Sequence, residues 1–218
     1  MIVVKCGGAV AASSAAEIAA LAADDEVVVV HGGGPQITAA LAARGVQASF
    51  AGGRRVTGSD AIAIVRETLL EVNAELCAAI GPQAVGLAGD EIGLQAVRLP
   101  ELGLVGEPLP SCPQAVLDAL AVGLIPVVAP LAEGPLNVNA DEAASALAVG
   151  LGAERIVFLT DVPGVLHDGV LDRIEGAEAD RLVGDGTFEG GIVPKLRAAV
   201  AAARGGVRAE IGATEVIA

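Results

Sequence analysis

The sequence predicts an α/β fold, a three-layer α/β/α sandwich with a mainly parallel central sheet. Apolar, β-branched segments alternate along the chain with alanine-rich segments that have the composition of helices. The first strand segments are almost continuously apolar, which is typical of parallel strands buried on both faces. A chain of 218 residues can bury roughly 70–75% of its unfolded surface, so one domain without disulfides or a structural metal is expected.

The first four elements alternate strictly between strand and helix. A buried strand is predicted at Ile2–Lys5, followed by a helix at Ser13–Ala23 that is capped by one of its two leading serines. A second strand follows at Val27–Val30. Pro35 then occupies the first position of a helix that stops at Gly45.

The later segments continue this alternation after one irregular stretch. Residues 46–58 contain short extended pieces around Gly52 and Gly53 and predict a hairpin. The next predicted elements are a helix capped by Ser59 and Asp60 and ending near Ile80, strands at 84–89 and 94–99, a helix from Ser111 to Gly123 and a strand at 124–130. They are followed by a helix opened by Asp141 and a strand over 155–165 that leaves through a turn at Pro163-Gly164. The last are a helix with Lys195 near its start and strands at about 207–211 and 214–217.

Composition and charge exclude several classes of function. The net charge of −14 argues against nucleic acid and anionic membranes as partners, because both need clustered cations. No 18-residue uncharged apolar span is present that would cross a bilayer. Three cysteines without metal-ligand spacing, in a sequence with no signal peptide, predict a cytoplasmic protein.

The two lysines stand out among the cations. Lys5 and Lys195 are the only lysines, and the other eleven of the thirteen basic residues are arginines. Lysine differs from arginine in being a compact point charge on a flexible stem. Both lysines lie beside paired glycines, which makes a shared function more plausible than the chance survival of two surface lysines.

The segment VVVVHGGGPQ at 27–36 joins a strand to a helix through three glycines. Backbone N–H groups at such a helix N-terminus stabilise an anion. The segment is neither a Walker A loop nor a G-x-G-x-x-G fingerprint, and on its own it also fits a tight turn that only glycine allows.

Three further loops of this kind indicate one site. Gly7-Gly8 follows the first strand, Gly190-Gly191 precedes Lys195, and Asn137–Asp141 precedes another helix. Because the carboxyl ends of parallel strands open into one crevice, these loops are expected to converge. Two lysines and a carboxylate meeting there suit phosphoryl transfer, which needs positioning and cations around the transferred group.

The order of these motifs resembles the amino acid kinase family, and within it the branch that phosphorylates N-acetyl-L-glutamate, over essentially the whole chain. The motifs that carry the resemblance are IVVKCGGA, VVVVHGGGPQI, GRRVT, VGEP, IPVVAP, NVNADEAA, LTDVPGVL and GGIVPKL. The resemblance implies transfer of the γ-phosphoryl group of ATP, with Mg²⁺, to the side-chain carboxylate of N-acetyl-L-glutamate, giving an acyl phosphate for arginine biosynthesis.

The resemblance also implies roles for particular residues. Lys5 and Lys195 correspond to the lysines that stabilise the transferring group, and Asp141 to the carboxylate that orients them. The implied ligands of the acyl amino acid are Gly32, Gly33, Arg54, Asn137 and Asn139. The implied nucleotide ligands are Gly7, Gly8, Thr160, Asp161, Gly164, Val165, Leu166, Thr187, Glu189, Gly190 and Gly191. No residue is assigned to a metal.

Each of these assignments has a structural alternative. Arg54 fits a carboxylate ligand, although a solvated hairpin cation is the other interpretation and is the one adopted for Arg55. Asp141 also suits a helix cap. His31 is interpreted as a structural hydrogen-bond donor, because a carboxylate nucleophile is already deprotonated and needs no general base. Cys6 is given no catalytic role, since nothing in this reaction needs a thiolate.

Two other functions remain as alternatives. One is a kinase for a related carboxylate, such as the carrier-protein-linked aminoadipate of lysine biosynthesis. The other is a non-catalytic arginine-sensing domain, which would have no need for both lysines and Asp141.

Departures from the family pattern lead to further expectations. The chain starts at its first strand without the helical arm of arginine-inhibited members, so we expect a homodimer without arginine feedback. The segment after Gly206 is shorter than in the family pattern, so the nucleotide lobe is expected to be smaller. We expect an N-lobe over residues 1–150 that binds the acyl amino acid and forms the dimer, and a nucleotide-binding C-lobe over 151–218.

Overall fold

An eight-stranded sheet forms the centre of the computed structural model, which describes residues 1–7, 11–160 and 162–218 and, in the first helix, the side chains from Ser14 onward. From edge to edge its strands are β12 (Arg173–Glu175), β14 (Thr214–Ile217), β13 (Arg208–Ile211), β11 (Arg155–Phe158), β1 (Ile2–Cys6), β2 (Val27–His31), β8 (Ile125–Ala129) and β5 (Ala84–Ala88). All neighbouring strands are parallel except β13 and β14. The predicted α/β fold with a mainly parallel sheet is confirmed.

Helices cover both faces of this sheet. They are α1 (Ala11–Leu21), α2 (Gly34–Ala43), α3 (Ile62–Ile80), α4 (Gln114–Ala121), α5 (Ala140–Gly150), α6 (Gly176–Gly184) and α7 (Ile192–Arg204). Side chains alternate along a strand, so Val28 and Val30 pack in one core cluster with α5 and α7, whereas Val27 and Val29 pack in another with α1 and α3. These two cores give the predicted three layers.

Two smaller sheets lie beside the main one. The first contains β6 (Ala96–Arg98), β7 (Val105–Pro108), β10 (Leu136–Val138) and β9 (Leu131–Ala132). The second is the β3–β4 hairpin, formed by β3 (Ser49–Ala51) and β4 (Arg54–Val56), which confirms the hairpin predicted at 46–58. Its turn consists of Gly52 and Gly53, both with positive φ angles that favour glycine.

Several predicted boundaries are wrong. Both leading serines lie inside α1, and Ser14 is buried there rather than capping the helix. The N-caps of α3 and α4 are Ala61 and Pro113, not the polar residues predicted. Here tertiary packing overrides local capping preference.

The strand predicted over 155–165 is also too long. The observed strand ends at Phe158, yet Val165 is completely buried because the loop packs on the core. An apolar sequence run does not distinguish a buried strand from a buried loop. The short strands β7 and β12 and the polar helix α6 were not predicted.

The strand order reverses between β1 and β11. The chain runs from β1 to β2 in one direction and from β11 to β13 in the other. Ligands of open α/β sheets bind at such a switch point, beyond the carboxyl ends of the strands. Lys5 and Phe158 are paired neighbours at this end of the two strands. None of the described helices combines the length and apolarity needed to span a membrane.

Candidate active site

Both lysines of the chain meet one carboxylate at the switch point. Lys5 Nζ lies 2.8 Å from Asp141 Oδ1, and Lys195 Nζ lies 3.6 Å from the same oxygen. All three side chains are mostly buried, with exposed fractions of 9%, 12% and 13% for Lys5, Lys195 and Asp141. Two positive charges against one negative charge leave the group able to attract an anion.

The local folds explain this placement. Asp141 is in the first turn of α5, where Asn139 is the N-cap and accepts from the N–H groups of Asp141 and Glu142. The helix dipole favours a carboxylate at this end. Lys195 is in the first turn of α7, where the dipole disfavours a cation. Asp141 offsets that cost, and Phe158 contributes a ring centroid 5.9 Å from Lys195 Nζ.

A cavity of about 340 Å³ opens beside Lys5 and Asp141. This volume is in the range of small-molecule sites. The predicted site residues on its wall are Lys5, Gly7, Gly32, Gly33, Arg54, Asn137, Asn139 and Asp141. We call it the N-lobe cavity.

The glycine loop forms one wall of this cavity. Gly33 is the N-cap of α2, and in the described structure no side chain caps that helix end. Pro35 has no N–H and the N–H of Ile37 donates to the Gly33 carbonyl at 2.8 Å, so an anion at this helix end would be bound by the N–H of Gly33 or Gly34. A Cβ added to Gly33 would lie 3.0 Å from Leu69 Cδ2, so the loop also packs closely against α3.

His31 supports the loop from behind, as the sequence predicted for a structural residue. It is fully buried, with Nδ1 3.1 Å from the Gly32 carbonyl oxygen and Nε2 3.1 Å from Asn73 Nδ2. Since the side-chain nitrogen of Asn73 can only donate, His31 Nε2 must accept and Nδ1–H must donate to the Gly32 carbonyl. Burial lowers the pKa of His31 from 6.5 to about 4, so the ring is neutral at pH 7.

This buried histidine predicts a particular loss of stability in acid. Below pH 6.5 the unfolded chain binds a proton at His31 that the folded chain does not, so stability is lost as the pH falls from 6.5 towards 4. We expect the free energy of unfolding to fall by about 2 kcal/mol more in the wild type than in His31→Gln between pH 7 and pH 4.5. Urea unfolding at both pH values measures this difference, and equal losses in the two proteins would contradict it.

Arg55 is buried, which contradicts its interpretation as a solvated hairpin cation. It is only 6% exposed and lines the N-lobe cavity. Its Nη2 donates to the Gly34 carbonyl at 2.9 Å and to Thr38 Oγ1 at 2.8 Å, and its guanidinium lies 4.6 Å from the Phe50 ring centroid.

This guanidinium has unused capacity to bind an anion. Nη1 is buried and has no hydrogen-bond partner in the described part of the chain, and no described carboxylate forms an ion pair with Arg55. Burial lowers the pKa of Arg55 below its ordinary value, because no nearby negative charge offsets it. A buried cation in this state favours an anionic ligand.

Arg54, the predicted carboxylate ligand, is already paired. Its Nε donates to both carboxylate oxygens of Glu142, at 2.9 and 3.0 Å, and its Nη2 lies 3.4 Å from Glu107 Oε1. Burial alone would lower the pKa of Arg54, but these two carboxylates raise it above its ordinary value. Its role as a ligand stays a prediction, with Arg55 as the residue that the prediction overlooked.

Asn137 and Asn139 connect the cavity wall to the hairpin. Asn137 is buried on β10 and donates from Nδ2 to Thr57 Oγ1 at 3.0 Å, while that hydroxyl donates to the Arg55 carbonyl. Asn139 donates from Nδ2 to the Gly53 carbonyl at 3.3 Å. Both amides therefore help to place the hairpin as well as line the cavity.

Most of the predicted nucleotide residues that the structure describes lie on two loops, 159–172 and 185–191, whereas Gly7 follows β1. His167 and Phe188 join these loops by an edge-to-face contact, with ring centroids 6.0 Å apart. Leu166 and Glu189 are exposed. The exposed Thr187 donates from both its N–H and its hydroxyl to Asp185 Oδ1.

Two of the nucleotide residues have structural roles. Val165 is buried and donates its N–H to Thr214 Oγ1, and a Cβ on Gly164 would meet the same oxygen at 2.6 Å. Gly8 and Asp161, also predicted to bind nucleotide, lie outside the described residues. Gly7 lines the N-lobe cavity, and Thr160 Oγ1 accepts from the N–H of Val162 at 3.5 Å. A Cβ added to Gly190 or Gly191 would meet no atom within 4 Å.

Within the described residues, no group of three or more His, Cys, Asp or Glu side chains is arranged to hold a metal ion.

Cys6 is buried, and burial raises its pKa to about 11, so it is a protonated thiol. Its lack of a catalytic role stays a prediction.

A mostly parallel sheet that brings two lysines and one carboxylate to its switch point suits phosphoryl transfer, which needs cations around the transferred group. The chain belongs to the amino acid kinase family, whose sequence model matches residues 1–212. It is 41% identical over 196 residues to the acetylglutamate kinase of Saccharopolyspora erythraea, and 43% identical over 173 residues to that of Roseiflexus castenholzii. Among solved structures it resembles smu.665 from Streptococcus mutans UA159, with a TM-score of 0.87 and 28% identity over 99% of this chain and 98% of that one.

The matched region is shorter than these two kinases. It covers 80% of this chain but 64% of the Saccharopolyspora relative, and 73% of this chain but 67% of the Roseiflexus relative. About a third of each relative therefore has no counterpart in the alignment.

Proposed function

We propose that the chain phosphorylates the side-chain carboxylate of N-acetyl-L-glutamate with ATP, giving N-acetyl-L-glutamyl 5-phosphate in arginine biosynthesis. The observation that carries the proposal is the convergence of Lys5 and Lys195 on Asp141 beside the N-lobe cavity. The names of the most similar curated relatives support the choice of substrate.

From the protein, the chemistry needs only side chains that this site contains. A substrate carboxylate oxygen forms a bond to the γ-phosphorus while the bond from that phosphorus to the β–γ bridging oxygen breaks and ADP leaves. The nucleophile is already ionised at neutral pH, so no general base is needed. Lys5 and Lys195 stabilise the charge on the transferring group, and Asp141 keeps both ammonium groups on one side of it.

The acyl amino acid would occupy the N-lobe cavity. Arg55 would bind its α-carboxylate through the buried Nη1, which has no other partner in the described residues. Asn137 and the N–H group of Gly33 would bind its remaining polar atoms, whereas the N–H of Gly32 already donates to the Cys6 carbonyl at 2.9 Å and would only place the loop. The side-chain carboxylate would then point towards Lys5.

ATP would bind to the C-lobe loops with its phosphates towards the two lysines. Mg²⁺ would arrive with the nucleotide, because it is commonly held by substrate phosphates rather than by a protein cage, and the described residues provide no such cage. The sheet supports a division near residue 150, since β1, β2, β8 and β5 form one half and the later strands the other. Residues 1–150 would thus bind the acyl amino acid and 151–218 the nucleotide.

We also propose a cytoplasmic homodimer that assembles through the N-lobe. Cys6, Cys77 and Cys112 are free thiols, which suits a reducing compartment. Light scattering on the purified chain measures the assembly.

The experiment for the proposed activity is an ADP-release assay with a panel of acceptors. The panel contains N-acetylglutamate, glutamate, aspartate and a carrier-linked aminoadipate, each with and without Mg²⁺. We expect N-acetylglutamate to give the highest kcat/KM. A higher value with another acid would overturn the assignment, and arginine binding without any ADP release would favour a sensor domain.

A further inference from the structure

Charged side chains tie the β3–β4 hairpin to the first turn of α5. The Arg54 guanidinium lies against both carboxylate oxygens of Glu142, and the two side chains are 22% and 24% exposed. The neighbouring bond from Asn139 Nδ2 to the Gly53 carbonyl joins the same two elements. We call the Arg54–Glu142 pair the latch.

The latch acts on the strand that carries Arg55. Consecutive residues of a strand point to opposite faces, so Arg54 reaches α5 while Arg55 reaches Gly34 and Thr38 in α2. The hairpin is therefore held between the two helices whose first turns line the N-lobe cavity. Loss of the attachment to α5 would free one side of the strand and change where Arg55 lies.

The hairpin also touches the helix that carries Lys195. Gly53 has a φ angle of +82°, and a Cβ on it would lie 2.7 Å from Pro194 Cγ. The hairpin turn thus contacts the residue before one catalytic lysine, and the latch includes the residue after Asp141. The hairpin therefore contacts both the N-lobe cavity, where the substrate is proposed to bind, and the residues next to Lys195 and Asp141.

The charges around Arg54 argue against a direct role in binding substrate. Glu142 and Glu107 place two carboxylates on one guanidinium. An α-carboxylate approaching Arg54 would be repelled by both and would have to displace one of them. Arg55 offers a buried N–H group without that cost.

We propose that Arg54 and Glu142 are positioning residues, whose ion pair fixes the hairpin across the N-lobe cavity so that Arg55 can bind the α-carboxylate of the acyl amino acid. This proposal rests on the proposed function for the identity of the substrate. Loss of the latch should weaken binding of the acyl amino acid and leave ATP binding unchanged.

The test compares Arg54→Ala, Glu142→Ala and the double variant with the wild type. Steady-state kinetics give KM for N-acetylglutamate and for ATP, and hydrogen exchange reports the amides of residues 49–56. Arg173→Ala is the matched control, because it removes an Arg–Glu pair with Glu215 on the edge of the main sheet. Arg54→Lys keeps the charge and tests for rescue.

We expect both single variants to raise KM for N-acetylglutamate about tenfold, to change KM for ATP less than twofold, and to speed exchange in the hairpin. The double variant should be no worse than the more severe single variant, because the two residues act through one contact. Arg54→Lys should bring KM for N-acetylglutamate back close to the wild-type value. The Arg173 control should match the wild type.

Three outcomes would overturn the proposal that the latch positions Arg55. Hairpin exchange and KM could be unchanged in both single variants, or KM for both substrates could rise equally. Arg54→Ala could also raise KM far above tenfold while Glu142→Ala matches the wild type, which would make Arg54 itself the ligand. If the wild type releases no ADP with N-acetylglutamate, the proposed function fails separately, and hairpin exchange still decides whether the latch exists.

Discussion

Changing either Lys5 or Lys195 to methionine should lower kcat by a factor of about a hundred to a thousand, the usual cost of losing one transition-state donor. Methionine keeps an apolar stem of similar length while removing the ammonium group. Each lysine contacts Asp141 Oδ1 and faces the switch point, so its charge is aimed at the transferring group. Steady-state ADP release with both substrates at saturation measures kcat directly.

Asp141→Asn tests the third member of the cluster. It keeps both lysines but removes the carboxylate charge that orients their ammonium groups, so kcat should fall in this variant as well. Thermal unfolding of each variant separates a loss of activity from a loss of fold. Near-wild-type kcat in both folded lysine variants would rule out the mechanism.

Arg55→Leu should raise KM for N-acetylglutamate about a hundredfold, because the buried guanidinium is the proposed partner of the α-carboxylate. A charged hydrogen bond left unmade in a buried site costs on the order of 3 kcal/mol, which corresponds to this factor. KM for ATP should change little. Titration of each substrate against a fixed excess of the other measures both constants.

A truncated acceptor tests whether the α-carboxylate is the group involved. 4-Acetamidobutyrate is N-acetylglutamate without that carboxylate, so Arg55→Leu should scarcely change its already weak kcat/KM. An equal loss on both acceptors would show that Arg55 serves the fold of the hairpin instead of binding the α-carboxylate.

Local sequence was sufficient to predict the frame of the site. The β-branched run before His31 and the glycines after it place a strand and a helix start without any knowledge of the rest of the chain. Parallel topology then brings Lys5 and the first turn of α5 to the same edge of the sheet. The meeting of Lys5, Lys195 and Asp141 follows from these local features together with the order of the strands.

The division of roles between Arg54 and Arg55 could not be predicted in this way. Adjacent strand residues face opposite sides, and a shift of one residue exchanges them. Their sequence contexts are nearly the same, and only the pairing of Phe50 with Arg55 and the position of Glu142 decide which guanidinium is neutralised. Glu107 and Glu142 lie in two of the recognised motifs, VGEP and NVNADEAA, but their pairing with Arg54 could not be predicted because Arg54 lies on a distant segment.

The predictions of the helix N-caps were wrong for a related reason. A serine near a helix start is a good cap only if its side chain stays at the helix end, and Ser14 is instead buried within α1. Packing against the sheet determined that boundary, and packing is a property of the whole chain.

Trapping the product with hydroxylamine tests the central claim most directly. An acyl phosphate reacts with hydroxylamine to give a hydroxamate, whereas simple ATP hydrolysis gives none. With N-acetylglutamate, MgATP and the wild-type chain we expect hydroxamate in equal amount to the ADP released, and none from the Lys5→Met variant on the same timescale. ADP release without any hydroxamate would contradict phosphoryl transfer to the carboxylate.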